Sequence, residues 1–184
     1  QAPSLAGIIP PVATPFTTAG DLDLDGLQFN LERLNREPLA GYVLGGSNGE
    51  FSSLSIDEGL KVVELARAVT PRDRLLIAGS GLESTRGTIE LTEKVARLGA
   101  DVAIVVTPGY FRAKMSAAAL EAHFTQVADA APIPVLLYSV PANTGVDLPA
   151  AAVAKLARHP NIIGLKDSGG DITKIGQMLS DTPA

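Results

Sequence analysis

Three stretches of this sequence carry residue types that can act together on a carbonyl. The first is Ile162-Ile163-Gly164-Leu165-Lys166-Asp167-Ser168-Gly169-Gly170-Asp171, an apolar run that ends on a lysine and turns at once into glycines. A buried strand opening into a loop has this pattern. Side chains alternate along a strand, so Ile162, Gly164 and Lys166 are expected on one face, with Gly164 leaving space beside the lysine stem. Desolvation at such a spot disfavours the ammonium and frees the neutral amine to attack a carbonyl. Taken alone, Lys166 reads as a solvated lysine ending a strand; the other two stretches shift that weighing.

The second stretch is Gly45-Gly46-Ser47-Asn48-Gly49-Glu50. Its glycines let the backbone turn sharply and present N–H groups to an anion, and Ser47 and Asn48 add side-chain donors. An ordinary turn has the same composition. Glu50 is expected as a buried partner of nearby N–H groups more than as a site acid. The third is Leu137-Tyr138-Ser139-Val140-Pro141-Ala142-Asn143-Thr144-Gly145. Tyr138 shares a face with Leu136 and is expected to point to the inner side of the sheet, where a phenol can pass protons; a core tyrosine with a satisfied hydroxyl is the plainer alternative. In Thr107-Pro108-Gly109-Tyr110-Phe111-Arg112, Tyr110 fits a proton relay or a subunit contact, and Phe111 fits packing. Lys114 is a rival nucleophile, but its polar loop offers little desolvation. Arg112 reads as a solvated charge, His123 as a structural helix residue and His159 as a turn residue.

Elements that would position these groups follow from the apolar pattern. Apolar, β-rich runs recur at Gly7–Pro11, Gly41–Leu44, Leu75–Ala78, Val102–Val106, Pro134–Tyr138 and Ile162–Lys166. Helical periodicity fills the intervals at Asp25–Arg36, Ser55–Val69, Ser84–Leu98, Ser116–Ala130, Pro149–Ala157 and Asp171–Leu179, with a capping box at Ser55 and Glu58. Six strand–helix repeats with continuously apolar strands predict an α/β fold with a parallel sheet covered on both faces. An open doubly wound sheet and a (β/α)8 barrel both fit. No G-x-G-x-x-G follows the first strand, which weighs against a dinucleotide site. Chemistry-bearing loops after several different strands favour the barrel, whose loops meet at one mouth. The expected unit is therefore a single partial barrel domain over residues 1–184, about six of eight βα units, apparently truncated at its C-terminus.

Composition narrows the classes further. Fifteen basic against twenty acidic residues give a net charge of −5, which argues against a nucleic-acid surface. With no cysteine and two histidines, neither a disulfide framework nor a cysteine- or histidine-rich metal site is expected. No apolar run approaches the ~18 residues of a membrane span.

Together, Gly46-Ser47-Asn48-Gly49-Glu50, the Tyr138–Gly145 stretch and Gly164–Asp171 resemble the dihydrodipicolinate synthase/N-acetylneuraminate lyase superfamily, class I aldolases on a (β/α)8 barrel. Within it, Ser47-Asn48, Ala142-Asn143-Thr144-Gly145 and Lys166-Asp167-Ser168-Gly169-Gly170-Asp171 are most similar to 4-hydroxy-2-oxoglutarate aldolase. The resemblance implies that Lys166 forms a Schiff base and that Tyr138 transfers protons. It implies that Ser47 links Tyr138 to a second tyrosine, Tyr110, from a neighbouring subunit, and that Ser47 and Asn48 hold the carboxylate of the pyruvate half. Asn143 stands where dihydrodipicolinate synthases usually carry an arginine for their aldehyde substrate, so it joins the substrate-binding set and argues against that activity. The implied reaction is cleavage of the small 2-oxo acid 4-hydroxy-2-oxoglutarate to pyruvate and glyoxylate, a step of hydroxyproline degradation, with no metal and no cofactor. Alternatives are another pyruvate-dependent aldolase, acting on 2-keto-3-deoxy sugar acids or resembling dihydrodipicolinate synthase, and a catalytically silent relative. The resemblance also implies a homotetramer built as a dimer of dimers, and a mitochondrial location in a eukaryote or a cytoplasmic one otherwise.

Overall fold

A computed structural model describes residues 3–182. Strands β1 (Gly41–Leu44), β2 (Leu75–Gly79), β3 (Val102–Val106), β4 (Val135–Ser139) and β5 (Ile162–Asp167) form a parallel sheet in sequential order. They alternate with α1 (Leu24–Leu34), α2 (Ile56–Val69), α3 (Thr85–Arg97), α4 (Ala117–Ala130), the short α5 (Pro141–Thr144), α6 (Ala150–Leu156) and α7 (Ile172–Asp181). This is the strand–helix alternation of the TIM-barrel family, as the apolar pattern predicts. Among the described residues five strands form, however, not six. Around Gly7–Pro11 the chain makes only an isolated bridge, Pro11 to Val43, with bonds such as Val43 N to Pro10 O at 2.9 Å. Pro10 and Pro11 have no N–H to give a ladder, and Ile8 is left 68% exposed.

The described residues fall into two compact units: residues 3–79 together with Lys94–Ala103, and Ser80–Glu93 together with residues 104–182. In the first, β1 and β2 pair from Gly41↔Leu75 to Leu44↔Ala78. Gly79, the last residue of β2, closely approaches Gly45, which follows β1, so a Cβ on Gly79 would collide with the Gly45 carbonyl. Helix α1 is capped by Asp23, which accepts from Gly26 N at 2.9 Å, and it buries Leu27 and Leu31 completely. Helix α2 carries the predicted capping box in both directions, a device worth about 1 kcal/mol.

In the second unit, α4, α6 and α7 cover one side of β4 and β5. Leu120, Phe124, Val135, Leu137, Leu156 and Met178 belong to that core. Strand β5 does not alternate simply. The register runs Val135↔Ile162 and then jumps to Leu136↔Gly164, an irregularity that places Ile162 in the helix-side core with Val135 and Leu137. The expectation that Ile162 shares a face with Lys166 is therefore corrected. Beyond the irregularity the alternation holds, and Tyr138↔Lys166 and Ser139↔Asp167 stand side by side.

Candidate active site

Tyr138, one residue before the end of β4, is almost completely buried, at 5% exposure, and Lys166 stands half-buried at the same level of β5. Lys166 Nζ lies over the Tyr138 ring, 4.4 Å from its centroid. A ring face attracts positive charge, and the geometry is inside the ~6 Å range of such contacts. It suits an ammonium and a protonated imine alike, since both place the charge on the same nitrogen. Of the predicted site residues, this lysine and this tyrosine are brought together directly.

Behind them, on the other side of the strands, lies a polar cluster that the sequence reading did not identify. Ser139 Oγ donates to Asp147 Oδ1 at 3.0 Å. Lys174 Nζ donates to the same oxygen at 2.5 Å and pairs with Asp167 Oδ2 at 2.9 Å. The side chains of Lys174 and Asp167 are only 12% and 6% exposed. Burial works against the Lys174 charge, but hydrogen bonds to Asp147 and Asp167 outweigh it and hold the ammonium above the ordinary lysine value. Burial likewise works against the Asp167 carboxylate, but Lys174 and the N–H groups of Gly169 and Gly170 keep its carboxyl below the usual range. A signal for this cluster was present: Lys174 falls in the first turn of α7, where the helix dipole disfavours a cation. A lysine tolerated there implies carboxylates around it.

The loops around β3 and β4 fix further groups. Thr107 Oγ1 bonds Thr144 Oγ1 at 3.2 Å, and Thr107 N donates to Tyr138 O at 3.1 Å. Asn143 is exposed on α5. Glu83 accepts from Gly109 N and Tyr110 N, the latter at 2.9 Å, and so shapes the Tyr110 turn. Tyr110 and Phe111 stack edge to face at 4.9 Å and are 78% and 68% exposed, so Phe111 does not pack inward as expected. Lys114 and Arg112 are exposed in a 3-10 turn. His123 is buried on α4, with Nδ1 2.9 Å from Thr85 Oγ1, and burial pushes its imidazole below the ordinary value against the pull of Glu83. His159 follows α6 as a turn residue, where its Nδ1 accepts from Asn161 N.

In the first unit, Ser47, Asn48 and Gly49 form one 3-10 turn after β1, with Ser47 half-buried and Asn48 exposed. Thr14 Oγ1 anchors it by donating to Gly49 O at 2.7 Å. Glu50 adopts a left-handed φ of 54° and is exposed, so the expected buried role for it is corrected. A left-handed backbone is unusual without glycine and marks a tightly determined turn.

A groove of about 460 Å³ runs along the helix side of β5, lined by Leu137, Leu165, Asp167, Ile175 and Met178 among others; Lys166 and Tyr138 do not line it. Among the described residues no group of three or more histidines, cysteines or acids is placed to hold a metal, and no helix is long and apolar enough to cross a membrane.

Comparison with known proteins adds context. A model described as "Dihydrodipicolinate synthetase family" matches residues 4–183. A 4-hydroxy-tetrahydrodipicolinate synthase of Exiguobacterium sibiricum is 42% identical over 172 residues, 94% of this chain and 58% of the relative. Another, from Xanthomonas axonopodis pv. citri, is 42% identical over 177 residues, 96% of this chain and 58% of the relative. Among solved structures, YagE of Escherichia coli K12 in complex with pyruvate has a TM-score of 0.90 at 38% identity, covering 97% of this chain and 60% of that one. The chloride-inhibited dihydrodipicolinate synthase of Acinetobacter baumannii, complexed with pyruvate, has a TM-score of 0.89 at 35% identity, covering 97% and 62%. The chain thus spans about three fifths of the length of the relatives it matches.

Proposed function

The chain belongs to the dihydrodipicolinate synthetase family, and on that premise we propose that it is the Lys166-bearing portion of a pyruvate-dependent carbon–carbon lyase. The observation that carries the reading is the pairing of Lys166 with Tyr138 on adjacent strands. The neutral Lys166 amine attacks C2 of pyruvate, or of a 2-oxo acid that contains it. A C–N bond forms, the carbonyl oxygen leaves as water, and a protonated imine remains. That cation is the electron sink. In the synthetic direction it loses a C3 proton to become an enamine, which attacks an aldehyde carbon. In the cleavage direction the C4 hydroxyl gives up its proton, the C3–C4 bond breaks into the imine, and an aldehyde departs. Tyr138 is the proton carrier in both directions. Ser47 relays to Tyr110 of a second copy, and Ser47 and Asn48 hold the pyruvate carboxylate. No step in this scheme calls for a metal or cofactor. The exposed Tyr110–Phe111 pair favours a homo-oligomer.

Two acceptors fit. The names of the relatives favour condensation toward 4-hydroxy-tetrahydrodipicolinate. Asn143, a neutral amide where that activity would use an arginine, favours cleavage of 4-hydroxy-2-oxoglutarate to pyruvate and glyoxylate. Borohydride reduction in the presence of pyruvate tests the shared chemistry. An adduct mass on Lys166, lost in Lys166→Ala, is the expected result; trapping on another lysine would refute the assignment. A panel of aldehydes offered with pyruvate then separates the two acceptors.

A further inference from the structure

We propose that Lys174 is a positioning residue for imine formation, tying together the strand ends that carry Lys166 and Tyr138 and offsetting carboxylate charge on the far side of the strand from the reacting nitrogen. The proposal rests on the reading of Lys166 as the imine-forming lysine. Asp167 directly follows Lys166, Ser139 directly follows Tyr138, and the two followers stand opposite one another in the β4–β5 register. Ser139 donates to Asp147, and Lys174 bonds Asp147 and pairs with Asp167. One ammonium therefore joins both strand ends from behind. Its own backbone is fixed as well, because Lys174 N and Thr173 N donate to Asp171 at the start of α7.

The charges set the direction of the effect. Asp147 comes from the segment between α5 and α6, Asp167 from β5, Asp171 from the start of α7, and Arg112 packs against Gly145 nearby. Asp147, Asp167 and Lys174 together carry one net negative charge. Removing the ammonium makes it two, across a single strand from Lys166 Nζ. Added negative charge behind that strand favours the protonated amine, which cannot attack.

The test is the rate of pyruvate trapping on Lys166 as a function of pH, measured on the full chain with melting followed in parallel. Lys174→Met is expected to move the midpoint of the profile up by about 0.5 pH unit or more. Lys174→Arg, which keeps the charge, should restore it, and so should the double variant Lys174→Met with Asp147→Asn, which resets the local charge. Folded variants that all titrate like the wild type would overturn the proposal. Should Lys174→Met fail to fold, Asp147→Asn alone carries the test, since it must move the midpoint down. A wild-type chain that forms no adduct sinks the imine reading itself, whereas intact wild-type trapping with unmoved midpoints sinks only the role of Lys174.

Discussion

Lys166 reaches across from β5 to lie over the face of Tyr138 on β4, 4.4 Å from the ring centroid. The ring and the hydroxyl of that tyrosine should therefore be separable. Tyr138→Phe keeps the ring face under the nitrogen and removes only the proton carrier. It is expected to retain the trapped adduct on Lys166 while turnover falls by about 10²–10⁴-fold. Tyr138→Leu removes the ring too and should slow adduct formation itself. Mass spectrometry of reduced protein beside a steady-state assay checks both.

Asn143 is exposed on α5, in the stretch that follows Tyr138. If its neutral amide sets the choice of aldehyde, Asn143→Arg should favour the aldehyde of the dihydrodipicolinate synthase reaction over glyoxylate. A charge-assisted hydrogen bond contributes about 1.5–3 kcal/mol, so the ratio of kcat/KM values should change by at least about tenfold. An unchanged ratio would remove Asn143 as the determinant.

His123 predicts a pH dependence of stability. Burial depresses its native value below that of the unfolded chain, so the unfolded state takes up the proton first. The stability involved is complete above the ordinary histidine value of about 6.5 and drains away as pH falls through the lower native value. Melting temperature should decline as pH is lowered from about 6.5 to 5, and His123→Gln should flatten that decline. Identical slopes in the two proteins would refute this origin.

Two glycines should respond oppositely to alanine. The Cβ of Gly79→Ala meets the Gly45 carbonyl, and the expected loss is about 1–3 kcal/mol. Gly176, inside α7, has nothing within 4 Å of an added Cβ, so Gly176→Ala should stabilise by roughly 0.5–1 kcal/mol. At about 2–4 °C per kcal/mol for a chain of this size, calorimetry resolves both.

The strand–helix alternation was legible because apolar runs recur at regular spacing, and the lysine–tyrosine pair because the loop motifs around Lys166 and Tyr138 resemble those of a known family. Gly7–Pro11 misled because its apolar content resembles a strand while its prolines cannot complete a ladder. The four-residue helix Pro141–Thr144 was hidden because proline, asparagine and a following glycine also spell a turn. The β5 irregularity left no mark on the alternation that a sequence shows. Asp147 and Lys174, 27 positions apart, look like unrelated surface charges until the fold stacks them behind one strand.

The uneven placement of the phenols gives the chain a built-in optical reporter. There is no tryptophan, so near-ultraviolet emission comes from three tyrosines. Tyr42 and Tyr138 are 0% and 5% exposed, against 78% for Tyr110. Collisional quenchers such as iodide will thus sample chiefly the Tyr110 turn, and shielding of that signal as concentration rises would register a second copy settling over it.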